Sequence, residues 1–264
     1  MIPKIIHYCW FGRNPKGKLA EKCLKSWKKY CKDYKIIEWN EDNFDISTCP
    51  LYVRQAYKMQ KWAFVTDYVR LKVVYENGGI YLDTDVQIIK KLDSLLVYDA
   101  YFGFDLDEYI NTGLGFGAKK GAPILKDIMR QYEDIPFVRD DGTQDSMSCP
   151  VRNTEVFLKY GLCQNGEQQS LIDGTIILPK DYLNPLDYWS GELKKTRNTL
   201  SIHWYSASWF SKKEKEEHEA RLKQISKRKK SERIDSFIHL PNRIMKKILG
   251  EKKYRSIKTI LKKY

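Results

Sequence analysis

The sequence contains no run of about 20 consecutive apolar residues, so no segment is suited to span a bilayer as a helix. It also lacks the charged start and long apolar centre of a secretory leader, and a cytoplasmic protein is expected. There is no Cys-x-x-Cys pair. Cys9, Cys23, Cys31, Cys49, Cys149 and Cys163 are spaced for no zinc ribbon, and in a reducing compartment they are expected as free thiols in or near the core. No nucleic-acid motif stands in the first 210 residues, and the basic end has few aromatics for stacking on bases. Nucleic acid is therefore not expected as a partner. Nor does any side chain stand out as a covalent nucleophile.

What is present is a core-forming composition and an uneven charge. At 264 residues with 42% hydrophobic and 13% aromatic content, one large domain or a domain with an appendage is expected. Residues 211–264 carry 19 Lys/Arg against 7 Asp/Glu, whereas residues 1–210 carry 28 against 27. A nearly neutral body, 1–210, and a basic helical tail, 211–264, follow. Within the tail, 214–230 reads as a charge-dense helix. Beyond it, Phe237, Ile238, Leu240, Ile244, Met245, Ile248, Leu249, Ile257, Ile260 and Leu261 are set among lysines and arginines. Such amphipathic helices lie on anionic membranes, each basic residue contributing about 1 kcal/mol. The same stripe suits packing on the body or on a second subunit, and both readings stay open.

The body opens as strand, helix, strand: 3–10, then 17–32 with Leu19, Cys23, Trp27 and Tyr30 at helical spacing, then 34–39. That order begins a parallel α/β sheet. A helix over 61–76, with Phe64, Tyr68, Leu71 and Tyr75 as its apolar stripe, leads into the stretch that organises the chain. This stretch is Asn77-Gly78-Gly79-Ile80-Tyr81-Leu82-Asp83-Thr84-Asp85-Val86. The glycines stop the helix, because they accept left-handed backbone. Ile80 and Leu82 face one side of a strand and Tyr81 and Asp83 the other; if the chain stays extended through 86–89, Asp85 joins Asp83. Two carboxylates one residue apart at a strand end suit a hard divalent cation. His203, in a strand-like segment 199–205, is a candidate third ligand, although a lone strand histidine is more often a core residue. Asp67 and Arg70, three apart on a helix, read from spacing alone as a surface ion pair. Asn111-Thr112-Gly113, between strands at 100–105 and 114–118, forms a polar turn able to face the site.

Three blocks together resemble the sugar transferases of glycosyltransferase family 32. They are Ile2-Pro3-Lys4-Ile5-Ile6-His7-Tyr8-Cys9-Trp10-Phe11-Gly12, Ala63-Phe64-Val65-Thr66-Asp67-Tyr68-Val69-Arg70 running into Gly78 to Asp85, and Ile202-His203 with Ser208-Trp209. The resemblance spans residues 1–210 and implies an α/β fold of GT-A type, a UDP-sugar donor, Mn²⁺ or Mg²⁺, and transfer with retention. By position it implies that Trp10 stacks on uracil and that Asn40 lies near the base. It implies a clamp of Asp67 and Arg70 on donor-sugar hydroxyls, in place of the surface pair. Tyr81 then lies beside the nucleotide, Asp83 is shared by ribose and metal, and Asp85 binds the metal directly. His203 stands near the metal and diphosphate, with Ser208 and Trp209 closing over the phosphates. Relatives often show His-His where this chain has His203-Trp204, a departure at that edge.

The expected activity is retaining, metal-dependent transfer of a hexose or N-acetylhexosamine to a capsular, O-antigen or related glycan. The expected acceptor is lipid-linked, and the expected location is the inner face of the cell membrane, with the tail on its anionic surface. The competing readings are a basic-tail membrane or nucleic-acid binder, and a metal-dependent phosphotransferase or hydrolase using the same acids.

Overall fold

A computed structural model describes residues 1–105, 109–206, 212–238 and 250. The chain divides into Met1–Trp209 and Phe210–Tyr264. In the first unit the strands are β1 (Ile5–Cys9), β2 (Lys35–Trp39), β3 (Gly79–Tyr81), β4 (Val86–Ile88), β5 (Ala100–Gly103), β6 (Phe116–Ala118), β7 (Gln169–Ser170), β8 (Ile176–Leu178) and β9 (Ser201–His203). The helices are α1 (Lys18–Tyr30), α2 (Leu51–Lys58), α3 (Trp62–Asn77), α4 (Pro123–Arg130), α5 (Cys149–Lys159) and the single turn α6 (Lys180–Leu183).

Seven strands form one sheet in the order β2-β1-β3-β6-β5-β8-β7. β2, β1, β3, β5 and β8 run one way, and β6 and β7 run against them. This is the α/β sheet with flanking helices that the opening strand–helix–strand order leads one to expect, mostly parallel rather than wholly so. Alternation along the strands supplies two cores. Ile6, Tyr8, Ile80 and Leu82 join Trp27 of α1 on one face. Cys9, Tyr81, Phe102 and Phe116 join Val65, Val69 and Val73 of α3 on the other. Layering on both faces is what a mainly parallel sheet requires.

α3 is buried almost all round, including Asp67 and Arg70, so its apolar stripe understates its burial. Where it ends, Gly78 (φ 66°) and Gly79 (φ 113°) take backbone conformations that other residues rarely adopt. A Cβ on Gly79 would lie 2.8 Å from the Ile5 carbonyl oxygen and 2.9 Å from His7 Nε2. His7 fixes the junction. Trp39 Nε1 donates to His7 Nδ1 at 3.0 Å, so the ring proton sits on Nε2, which donates to the Gly78 carbonyl at 2.8 Å. Burial holds its pKa below the usual histidine value.

Two sequence expectations are corrected beyond Tyr81. The chain does not stay extended: Val86 N donates to the Asp83 carbonyl at 2.9 Å, closing a turn. The residues after it do not prolong β3 either. β4 pairs antiparallel with β9 in a separate two-stranded sheet, with Val86 opposite His203. α1 secures that sheet, because Trp27 Nε1 donates to the Val86 carbonyl at 2.7 Å and Ser26 Oγ accepts from Ile88 N at 3.0 Å.

All six cysteines are free thiols; Cys9, Cys23, Cys31 and Cys49 are buried, Cys149 is half-buried, and Cys163 is exposed, against the expectation that all lie near the core. In the second unit α7 (Lys212–Ile238) is a polar helix carrying i,i+4 ion pairs such as Arg228–Glu232 at 2.8 Å. Among the described residues no helix is long and apolar enough to cross a membrane. Apart from 236–238 and 250, the amphipathic segment 236–264 lies outside the described residues.

Candidate active site

The turn after β3 delivers both acids to one place. Ligand atoms of Asp83, Asp85 and His203 all lie within 4.8 Å of one another. Asp85 is buried and fully engaged. Its Oδ1 lies 3.2 Å from His203 Nε2, its Oδ2 accepts from Ser206 N at 2.7 Å, and its carbonyl accepts from Trp204 N at 3.0 Å. His203 is brought there by the β4–β9 pairing. Its other ring nitrogen, Nδ1, is buried with no hydrogen-bond partner among the described residues. Two carboxylates and an imidazole with an unsatisfied nitrogen form a donor set that fits a divalent cation.

Asp83 is held from the opposite side. Its Oδ1 accepts from Tyr81 OH at 3.0 Å, and Arg70 Nη1 lies 3.5 Å from its Oδ2. Arg70 also pairs with Asp67 at 3.0 Å, donates through Nε to the Thr66 carbonyl at 3.0 Å, and lies 5.2 Å over the Tyr81 ring. Side-chain exposures of 4% for Arg70 and 11% for Asp67 overturn the surface-pair reading that spacing alone suggests. One guanidinium thus serves two carboxylates and an aromatic face out of water, the use for which arginine is suited.

The two acids of the turn differ electrostatically. Burial pushes the Asp83 carboxyl up to about 6; Arg70 opposes the rise, and the neighbouring Asp85 charge adds to it. Burial acts on Asp85 in the same sense, but His203 and the Ser206 N–H outweigh it and hold Asp85 below the carboxylate range. His203 loses basicity to burial and regains more from Asp85, ending above the usual histidine value. Asp67 is raised, burial exceeding the help it receives from Arg70 and the Cys149 thiol.

The Asn111-Thr112-Gly113 turn does face the site. A Cβ on Gly113 would stand 2.7 Å from Asp83 Oδ2 and 3.2 Å from Arg70 Nη1, so a side chain there would press on the pair. Trp10 and Asn40 directly follow β1 and β2; β1 pairs in parallel with both β2 and β3, so all three strands end on the side of the sheet where Asp83 follows β3. Trp10 Nε1 donates to the Asn14 carbonyl at 2.6 Å and Asn40 braces the next turn by accepting from Asp42 N at 2.9 Å; neither is hydrogen-bonded into the carboxylate cluster. Ser208 and Trp209 lie outside the described residues.

Four residues that carry no sequence signal complete the surroundings. Tyr205 donates to Asp105, and Asn184 Nδ2 donates to Asp105 Oδ1 at 2.7 Å and to the Tyr205 hydroxyl. The Tyr205 ring lies tilted against His203, centroids 4.3 Å apart, and the residue holds a positive φ of 49°, strain of the kind that ordered polar networks sustain near functional sites. Cys149, at the start of α5, puts its thiol 3.9 Å from Asn111 Oδ1 and against Asp67.

Residues 17–102 match the family model of a glycosyltransferase sugar-binding region containing the DXD motif. Asp83-Thr84-Asp85 is that motif here. The chain is also 30% identical over 147 residues to inositol phosphoceramide mannosyltransferase 3 of Schizosaccharomyces pombe, covering 52% of this chain and 38% of that protein. The chain thus spans well under half the length of that curated relative. Among solved structures it is similar to the PaToxG glycosyltransferase, with a TM-score of 0.45 at 16% identity over 60% of this chain and 69% of that one. It is similar as well to a glycosyltransferase involved in glycosylation of the major capsid of PBCV-1, with a TM-score of 0.43 at 14% identity over 85% of this chain and all of that one.

Proposed function

We propose that the protein transfers a sugar from a nucleoside-diphosphate donor to a hydroxyl of a glycan acceptor, with a divalent cation held by Asp83, Asp85 and His203. The observation that carries the reading is the gathering of these three side chains at the strand end, with Arg70 beside Asp83. Mn²⁺ or Mg²⁺ there supplies Lewis-acid neutralisation of the diphosphate as it leaves. The chain's own residues do the rest. Asp67 and Arg70 orient the donor sugar through its hydroxyls, while Trp10 and Asn40 take the base at the neighbouring strand ends. Among the described residues no side chain is placed as a covalent nucleophile; in the proposed retaining transfer the acceptor hydroxyl attacks the anomeric carbon on the face from which the nucleoside diphosphate departs, and its proton passes to the departing β-phosphate oxygen.

A UDP-hexose or UDP-N-acetylhexosamine is the first donor reading; a mannosyl donor is the second, favoured by the mannosyltransferase relative. Incubating the protein and Mn²⁺ with UDP-glucose, UDP-galactose, UDP-N-acetylglucosamine and GDP-mannose is expected to release the nucleoside diphosphate, UDP or GDP, from one donor, and EDTA to stop it. NMR of the first-formed product gives the anomer. EDTA-insensitive release, or none from any donor together with no Mn²⁺-dependent nucleotide binding, sinks the reading. Mn²⁺ affinity is expected to fall as pH drops through about 6, because Asp83 takes a proton there. His203, raised above its usual value, is also charged in that range.

The basic tail, residues 236–264, is proposed to rest on an anionic membrane surface at the inner face of the cell, near a lipid-linked acceptor. Its net positive charge and interspersed apolar residues support this. Deleting 236–264 is expected to weaken cosedimentation with phosphatidylglycerol vesicles at least about tenfold, with donor cleavage intact. Equal sedimentation of both proteins removes the idea.

A further inference from the structure

Residues 185–194 form a hairpin-like loop tied to the candidate active site at its base. Leu186 and Leu193 bridge across it, Asp187 N donates to the Glu192 carbonyl at 2.8 Å, and Lys194 N donates to the Pro185 carbonyl at 2.9 Å. The tip is closed by Gly191 at φ 65°, whose N donates to the Asp187 carbonyl at 2.8 Å, and by Ser190 N donating to Asp187 Oδ1 at 2.7 Å. At the base, Asn184 is hydrogen-bonded to Asp105 and to the Tyr205 hydroxyl.

Aromatic rings connect this loop to the metal-binding residues without a break. His203 contacts Tyr205 at 4.3 Å, Tyr205 contacts Tyr188 at 5.1 Å, and Tyr188 contacts Trp189 edge-on at 5.0 Å. The first three rings are wholly or partly buried; the last, Trp189, is 48% exposed. An indole fixed on an ordered turn and left half in water loses hydration cheaply when an apolar face covers it. The C–H face of a pyranose ring is such a face, and its equatorial hydroxyls remain free for the polar groups around the tip.

We propose that Trp189 is a stacking platform for a sugar ring of the acceptor glycan, one step outward from the carbon at which transfer occurs. This rests on the sugar-transfer reading of the Asp83–Asp85–His203 site. Tyr188 and Tyr205 act as positioning residues that fix the height of the platform above that site.

The test uses the full chain with maltotriose, mannotriose and N,N′-diacetylchitobiose as probes, read by saturation-transfer NMR, with nucleotide binding in Mn²⁺ measured in parallel. Wild type is expected to transfer saturation to the ring C–H protons of at least one probe. Trp189→Ala is expected to weaken that binding about tenfold and Trp189→Phe to restore most of it, with nucleotide binding unchanged in both. Saccharide binding equal in wild type and Trp189→Ala, or absent from wild type for every probe, overturns the proposal. So does loss of nucleotide binding in Trp189→Ala with circular dichroism unchanged, since the ring would then serve the donor. If nucleotide and metal fail to bind while saccharide binding depends on Trp189, the platform stands and the sugar-transfer reading falls.

Discussion

Asp85→Asn is expected to lower metal-dependent donor cleavage about a thousandfold, equivalent to about 4 kcal/mol of lost leaving-group stabilisation. Asp85 is the most committed of the three candidate ligands, buried against His203 and the Ser206 N–H. An asparagine keeps the shape, retaining one oxygen for the Ser206 amide, but removes the charge that attracts both the cation and the imidazole proton. Mn²⁺ titration calorimetry and donor hydrolysis are to be run together, with thermal denaturation as the control for folding. The variant should unfold near the wild-type temperature and fail to bind Mn²⁺. Turnover within tenfold of wild type, still sensitive to EDTA, would remove Asp85 from the metal site.

The second large effect is on stability. Arg70 is the one guanidinium shared by Asp67 and Asp83, and all three groups are buried or half-buried. Arg70→Met fills most of the same volume and leaves two acids without their counter-charge. Breaking a buried pair from one side costs about 3–5 kcal/mol, and the unfolding midpoint is expected to fall by about 10 °C. The pH dependence identifies the cause. Without Arg70 the two carboxyls have folded-state pKa values raised further above their unfolded values. A raised carboxyl weakens the fold above its unfolded pKa and ceases to do so once pH falls low enough to protonate it in both states. The deficit between variant and wild type should therefore shrink as pH is lowered toward about 4. A deficit independent of pH would mean that lost packing, not charge, is the cause. Arg70→Lys is expected to recover part of the stability, since an ammonium cannot reach both acids as a fork does.

How far the sequence disclosed this arrangement depended on distance along the chain. Local periodicity located β1, α1, β2, α3, β3, β5, β6 and β9, because apolar spacing is imposed by neighbours a few residues away, but it gave no sign of α2. It also marked the glycine pair before β3, where positive φ leaves little choice of residue. The turn at Asp83–Val86 was not legible, since alternation describes an extended strand equally well until a distant partner claims its continuation. That partner is β9, and no local pattern announces the pairing of Val86 with His203. The burial of Asp67 and Arg70 was hidden for a related reason. A three-residue spacing says that two side chains share a flank, but the flank turned inward because α3 is covered on almost every side. Asp105, Asn184, Tyr205 and Cys149 were beyond reach, being single residues at or just past the ends of elements that acquire meaning only from one another.

The β4–β9 sheet sets an order of assembly. Ser206 meets the Asp85 carboxylate across 121 residues of chain, so during synthesis both acids emerge long before the histidine that completes them. Through that interval an ion would find two carboxylates on a turn ahead of an unpaired β4, a much poorer ligand set. Pairings between segments so far apart form late, after loop closure has been achieved. Under the proposed metal-dependent function, ion capture would be coupled to the arrival of β9, and a cation added during refolding should speed the final step more than any earlier one.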